Sequence, residues 1–218
     1  MSKQSAIIVP EGCKKVLLHA CCAPCSSAIV EWLLAHEIEP VIYYFNPNIY
    51  PYEEYEIRKN ESKRHAESLG IQWIDNDRGE GLSVTGYGER HDQWRAAVCG
   101  LENEPERGKR CECCFYVRLL ATAQKAQELG IPFFATTLAS SRWKSLEQIT
   151  AAGIRAQNAL LTDRCADRVQ TDSPTPIFWA QNWRKDGLQE RRNALLKEYD
   201  FYNQQYCGCE FSMRPQNS

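Results

Sequence analysis

Apolar and polar positions fall along this chain in blocks that read as strands and helices in turn. Lys15-Val-Leu-Leu-His19 is a short apolar run ending at Ala20-Cys21-Cys22, and it predicts a buried strand. A helix is expected from about Pro24 to His36. Proline suits a first helical position, and Ile29, Trp32 and Leu33 fall at i, i+3 and i+4. Pro40 to Phe45 reads as a second buried strand, Asn46 to Pro51 as a turn-rich loop, and Tyr52 to Leu69 as a charged amphipathic helix stopped at Gly70. Ile71 to Asp75 predicts a third strand, and the four glycines from Gly79 to Gly88 predict a mobile loop.

Helices are expected from about Glu89 to Gly100 and from Cys111 to Leu129, with Gly130 as a stop. Phe133 to Leu138 reads as a fourth strand, followed by a polar loop, Ala139 to Lys144, and a helix opening near Leu146. The stretch from Leu160 to Trp183 has no clear period, and Pro174-Thr-Pro176 argues against a regular central strand there. A last helix runs from about Gly187 to Tyr199.

Strands alternating with helices predict an α/β fold: a doubly wound, mostly parallel sheet. One domain is expected over residues 1–218, with a carboxyl-terminal tail from about residue 200 that carries Tyr206-Cys-Gly-Cys-Glu210. Such sheets place their sites at the carboxyl ends of strands, where the strand order reverses. Cys21-Cys22 and Ser140 to Lys144 both follow predicted strands and are expected to meet at one rim.

Composition narrows the function. The 218 residues are 43% hydrophobic and 25% charged, enough for a core without covalent staples. A net charge of −2 gives no global basic field to advertise a nucleic-acid partner. No apolar run is long enough to span a membrane, and the first twenty residues do not read as a secretory signal. A cytoplasmic protein with reduced thiols is therefore expected. Against that background eleven cysteines are unusual, and clustered thiols in a reducing compartment point to metal or redox chemistry.

Eight of the eleven form three groups: Cys21, Cys22 and Cys25; Cys111, Cys113 and Cys114; Cys207 and Cys209. Cys25 and Cys111 are expected in first helical turns, where free N–H groups favour negative sulfur. Four soft ligands from two distant pairs suit tetrahedral zinc or an iron–sulfur cluster, and their place at strand–helix junctions favours an active-site metal. A disulfide across Cys207-Gly-Cys209 would close a small, strained ring that is easily reduced, as a redox-active pair requires. A rival reading takes Cys22-Ala-Pro-Cys25 as a thioredoxin-type Cys-x-x-Cys, which leaves Cys21, Cys111 and Cys114 unused. A structural zinc module that binds RNA is a third. Cys13, Cys99 and Cys165 read as small buried hydrophobes, Cys99 on a helix.

His19-x-Cys-Cys-Ala-Pro-Cys25, Phe45-Asn-Pro-Asn-Ile-Tyr-Pro51, Glu54-Tyr-x-x-Arg58 and Arg110-Cys-x-x-Cys114 occur in one chain. Arg118-Leu119, Thr136-Thr-Leu138 with downstream Ser141 and Lys144, and Tyr206-Cys-Gly-Cys209 follow in order. Together these motifs resemble the QueH-type epoxyqueuosine reductases. The resemblance implies a fold similar to the adenine-nucleotide α-hydrolase group. It also implies a cobalamin-independent reduction of epoxyqueuosine to queuosine at the wobble position of tRNA, the last step of queuosine biosynthesis. It implies a [4Fe–4S] cluster on Cys21, Cys22, Cys111 and Cys114, and a redox dithiol at Cys207 and Cys209. An additional mononuclear iron would use Cys25 with Cys21 or Cys22. Two departures stand out. Phe115 occupies the family's usual tyrosine position with Tyr116 next, and Cys113 is an extra thiol inside the motif.

The implied reaction needs two electrons and two protons. Lys144, Tyr116 and His19 are the proton sources that position offers, and an external electron donor is required. For tRNA the expected grip is local: Arg107, Lys109 and Arg110 beside the second cysteine group, with Arg58, Lys59, Lys63 and Arg64, or Arg184, Lys185, Arg191 and Arg192, as further patches. Tyr50 and Tyr52 are candidate stacking surfaces for an anticodon base. A nucleotide-dependent thiolase is disfavoured, because no Ser-Gly-Gly phosphate loop follows the first strand.

Overall fold

A computed structural model describes residues 7–75, 85–166 and 174–213, without the side chains of residues 85 and 163–166. Its five strands are β1 (Lys15–Ala20), β2 (Glu39–Tyr44), β3 (Trp73–Asp75), β4 (Phe133–Thr136) and β5 (Ile177–Phe178). They form one sheet in the order β3-β2-β1-β4-β5, and every pairing is parallel. Strand β1 lies at the centre, with Leu17 opposite Val41 on one side and Phe134 on the other. Residues 16–20 of β1 and 40–44 of β2 are all buried, as a sheet covered on both faces demands.

The helices are α1 (Ala23–Ala35), α2 (Tyr52–Ser68), α3 (Thr85–Ala97), α4 (Lys109–Glu128), α5 (Leu146–Ala166) and α6 (Leu188–Glu198). Helix α1 packs against α2 and α6, and α4 against α5 and α3. Helix α5 approaches β5 so closely that a Cβ on Gly153 would lie 2.2 Å from the Phe178 ring. The chain runs outward from β1 to β3, then returns to β4 on the other side of β1. That reversal opens a crevice at the carboxyl ends of β1 and β4. No described helix is long and apolar enough to cross a membrane.

Three local expectations need correction. Helix α3 starts at Thr85, so Gly86 and Gly88 are helical; residues 79–84 of the expected loop lie outside the described residues. Strand β4 stops at Thr136, and Thr137–Ser140 winds into a single 3-10 turn whose Leu138 N–H donates to Thr136 Oγ1 at 3.1 Å. The run Thr-Leu-Ala is buried in either conformation, so hydropathy could not separate the two. Cys99 lies beyond the end of α3 and is exposed; Trp94 and Val98 are the inward residues there. Strand β5 follows Pro174 and Pro176 at the sheet edge, where a missing N–H costs least.

Candidate metal and redox centre

The crevice is built by the β1–α1 junction, the turn after β4, the start of α4 and a returning tail. At the end of β1, the chain turns into α1 with Pro24 in its first turn, and Cys21, Cys22 and Cys25 become neighbours. Their three Sγ atoms lie within 4.8 Å of one another, and all three residues are buried. Cys21 Sγ is 3.8 Å from Cys22 Sγ and 3.6 Å from Thr137 Oγ1. The 3-10 turn after β4 therefore forms one wall of the thiol group.

Beside this group lies a cavity of about 620 Å3. Five cysteines line it: Cys25, Cys111, Cys114, Cys207 and Cys209. Cys111 and Cys114 come from the first turns of α4, so i, i+3 spacing presents both on one side of the helix. Lys144 lines the same cavity, and its charge acts on Cys21, Cys25 and Cys207.

The thiols divide sharply in acidity. Hydrogen bonds from Cys22 and Cys25 hold the Cys21 thiol well below its ordinary pKa, assisted by Lys144 and Arg118 against the cost of burial. Cys22 is pushed up, mainly by burial and by the shared hydrogen bonds. Cys25 is pushed up by its hydrogen bond to Cys21. Burial also raises Cys111 and Cys114, although both sit at the start of α4. The expected helix-terminus effect is thus outweighed, at Cys25 by its hydrogen bond to the Cys21 thiolate and at Cys111 by loss of solvent around the sulfur. Cys207 is lowered to about 5, first by a hydrogen bond from Cys209, and Cys209 is raised correspondingly.

Buried cations surround the thiols. Arg118 on α4 donates Nε to His19 Nε2 at 3.3 Å and Nη2 to Asn46 Oδ1, while Asn46 Nδ2 holds Ala20 O at 2.9 Å. His19 also contacts Thr136 Oγ1 at 2.8 Å, and burial followed by the Arg118 charge lowers its pKa to about 3. His19 is therefore neutral at physiological pH and is a positioning group, not a proton store.

Arg58 on α2 is 1% exposed. It donates to Glu54 at 2.7 Å and 2.5 Å, and to the carbonyls of Tyr206 at 3.1 Å and Cys207 at 3.3 Å. The tail is further held by Tyr50 N–H donating to Gly208 O at 2.9 Å and by Tyr206 Oη donating to Tyr50 O. Gly208 has φ 103°, and a Cβ there would lie 2.8 Å from Ile49 Cγ1, so the position excludes a side chain. Cys207 and Cys209 are both free thiols.

Several residues read from the sequence as RNA contacts are engaged inside the protein. Arg110 is buried, and its Nη1 donates to three carbonyls, Leu101, Glu102 and Glu104. Lys59 is buried against Glu56 and Asp75, and Arg191 pairs with Glu31 at 2.7 Å. Arg107 and Lys109 are exposed, and Arg107 lines the cavity. Tyr50 is exposed and stacks on His91, whereas Tyr52 is half-buried beside Tyr87. Tyr116 lies in an adjoining cavity under Arg155, while Phe115 lines the thiol cavity. Cys113 Sγ donates to Ala97 O at 3.0 Å. Cys13 is buried as expected, and the Cys165 side chain is outside the described residues. The structural roles of Arg58 and Arg118 were missed from sequence; the i, i+4 pair Glu54–Arg58 was the visible signal.

Comparison with known proteins decides the lineage. The family profile described as "Epoxyqueuosine reductase QueH" matches residues 16–215. The chain belongs to the QueH family of epoxyqueuosine reductases. A family member from Haemophilus influenzae is 42% identical over 209 residues, covering 96% of this chain and 76% of the relative. One from Acinetobacter baylyi is 41% identical over 209 residues, covering 96% and 85%. One from Thermotoga maritima is 30% identical over 202 residues, covering 91% and 90%. All three are named epoxyqueuosine reductase QueH. The match spans the three cysteine groups, so the thiol-lined crevice is the part of this oxidoreductase where reduction chemistry is to be sought.

Proposed function

We propose that this chain reduces epoxyqueuosine in tRNA to queuosine in the cytoplasm, using a metal–thiolate centre and the Cys207–Cys209 dithiol. The observation that carries this reading is the convergence of Cys25, Cys111, Cys114, Cys207, Cys209 and Lys144 on one cavity beside the three-thiol group.

The residues fit an iron–sulfur cofactor. Cys21, Cys22 and Cys25 supply three buried soft donors within 4.8 Å, and the Cys21 thiol is held well below its ordinary pKa. Arg58, Arg118 and Lys144 supply the positive charge that an anionic centre needs in a buried site. Cys21, Cys22, Cys111 and Cys114 would hold a [4Fe–4S] cluster, and Cys25 with Cys21 or Cys22 an additional iron. Such a centre supplies single-electron transfer and a Lewis-acidic site for oxygen.

Removal of the epoxide oxygen as water, leaving an alkene, takes two electrons and two protons. Oxidation of the Cys207 thiolate and the Cys209 thiol to a disulfide yields the two electrons and one proton, and the Lys144 ammonium supplies the other proton. The lowered Cys207 thiolate begins this oxidation, and the Cys209 thiol paired with it carries the one proton that the dithiol releases. An external electron donor reopens the disulfide. Lys144, which lines the cavity, protonates the departing oxygen and regains its proton from solvent. Tyr116 opens on the adjoining cavity, which ranks it behind Lys144. Arg107 at the cavity wall and the exposed Lys109 near it in sequence meet the tRNA phosphates.

The test is anaerobic purification followed by iron, sulfide and zinc analysis, and turnover of tRNA bearing epoxyqueuosine. Brown protein with iron and sulfide is expected, together with queuosine detected by mass spectrometry. Cys207→Ser and Cys209→Ser should each abolish turnover while retaining iron. Colourless protein after anaerobic reconstitution, or zinc alone, would overturn the reading.

A further inference from the structure

A second cavity of about 710 Å3 adjoins the first. The two share Arg107, Arg142 and Lys144 as a common wall. Arg155 and Arg184 add two more cations to the second cavity, against only two carboxylates, Glu112 and Glu147. Among the described residues no carboxylate oxygen lies within 4.0 Å of any of these five cations. Glu112 is itself drawn aside, accepting from Gln148 Nε2 at 2.9 Å. On a chain of net charge −2, such a concentration of unpaired positive charge is a local feature that calls for an anion.

The cations are held in place. Arg107 donates Nε to Trp143 O at 2.9 Å and Nη2 to Arg142 O at 3.1 Å, from a left-handed backbone conformation with φ 67°. Arg184 grips the same loop from its other end, donating to the carbonyls of Ser141 and Lys144. Its Nε is buried without a partner, and burial and the Arg107 charge both lower its pKa. The Arg155 guanidinium lies 3.8 Å above the Tyr116 ring. Fixed cations of this kind lose little entropy when an anion arrives. Trp143, 65% exposed, lines the first cavity between Arg142 and Lys144 in sequence, with Arg142 packed at 4.9 Å against it.

We infer that the second cavity seats a phosphodiester flanking the nucleoside that enters the first, with Trp143 stacking on the neighbouring base. This inference rests on the RNA substrate proposed above. A ligand that enters both cavities across the shared wall pairs a nucleoside in the first with an anion in the second, and an RNA strand carries a phosphodiester on either side of each nucleoside. Phosphate contacts would fix the position of the strand, and the exposed indole would accept any base face.

The test uses the anaerobically purified full chain, an anticodon stem-loop RNA and fluorescence anisotropy across a salt series. Arg142→Gln and Arg155→Gln change exposed residues and should keep the wild-type circular dichroism and iron content. Each should weaken binding severalfold and lower the slope of log affinity against log salt by about 0.7 for each phosphate no longer neutralised. Trp143→Ala should weaken binding with an unchanged slope, and Trp143→Phe should restore most of it. A methylphosphonate at one of the two phosphodiesters beside the wobble nucleotide should weaken wild type but leave Arg155→Gln no weaker than it was. Unchanged salt slopes in both arginine variants would overturn the inference. So would protection of the cavity by inorganic phosphate together with indifference to the methylphosphonate, which would assign it to a free anion. Wild-type protein that binds no RNA at all would instead sink the substrate reading itself.

Discussion

Replacement of Arg58 by methionine tests whether the tail that carries the dithiol is clamped from inside α2. Arg58 and Glu54 are both buried, one helical turn apart, and Glu54 Oε2 also accepts from Tyr202 Oη at 2.6 Å. Arg58→Met leaves the Glu54 carboxylate buried without its cation, a loss of about 3–5 kcal/mol. The carbonyls of Tyr206 and Cys207 lose their donors as well, but they lie near solvent and recover water. For a chain of this size each kcal/mol lowers Tm by about 2–4 °C, so a fall of about 6–20 °C is expected in calorimetry. Glu54→Gln in the same chain removes the stranded charge and keeps an acceptor for Tyr202, so the double variant should recover at least half of that fall. Release of the tail should also speed alkylation of Cys207 and Cys209. A single variant within about 1 kcal/mol of wild type, or a double variant no better than the single, would refute the clamp.

Three further outcomes follow from the same geometry. Iodoacetamide should modify Cys207 in the metal-free protein with a midpoint near pH 5 instead of the ordinary 9.0, and Lys144→Met should move it upward; a midpoint near 9 would refute the assignment. The ionised Cys207 contributes stability that is fully present above its unfolded pKa and is lost as pH falls through about 5. His19, lowered from 6.5 to about 3 in the fold, contributes stability that is full above 6.5 and lost as pH falls toward 3. His19→Gln should flatten that acid limb in urea titrations of the metal-free protein, and an unchanged limb would argue against a buried neutral imidazole. Gly208→Ala costs about 1–2 kcal/mol in backbone conformation alone. Added to the 2.8 Å contact with Ile49, it should displace Cys207 and Cys209 and abolish turnover with iron content retained. Full turnover in that variant would show that the tail tolerates another path.

The chain's local chemistry was legible without a structure. Hydropathy located β1, β2 and the helices α1, α2, α4 and α6 to within a few residues, because core-facing positions repeat with the period of the element that holds them. It also placed Cys21, Cys22 and Cys111 at strand–helix junctions and helix starts, since proline and the ends of apolar runs mark those points. Where burial is the same in two conformations, as at Thr137-Leu-Ala139, the pattern could not choose. Only the tertiary structure decided which cysteines meet and which arginines face a cavity. Arg58, Arg110 and Lys59 read as surface charges, yet Arg58 and Lys59 are buried on partners from their own helix and beyond and Arg110 on carbonyls of the loop before its helix, while Arg107, Arg142, Arg155 and Arg184 gather around one cavity from four separate segments. A charge's state depends on solvent and partners brought near by the fold, and no local period in the sequence encodes either.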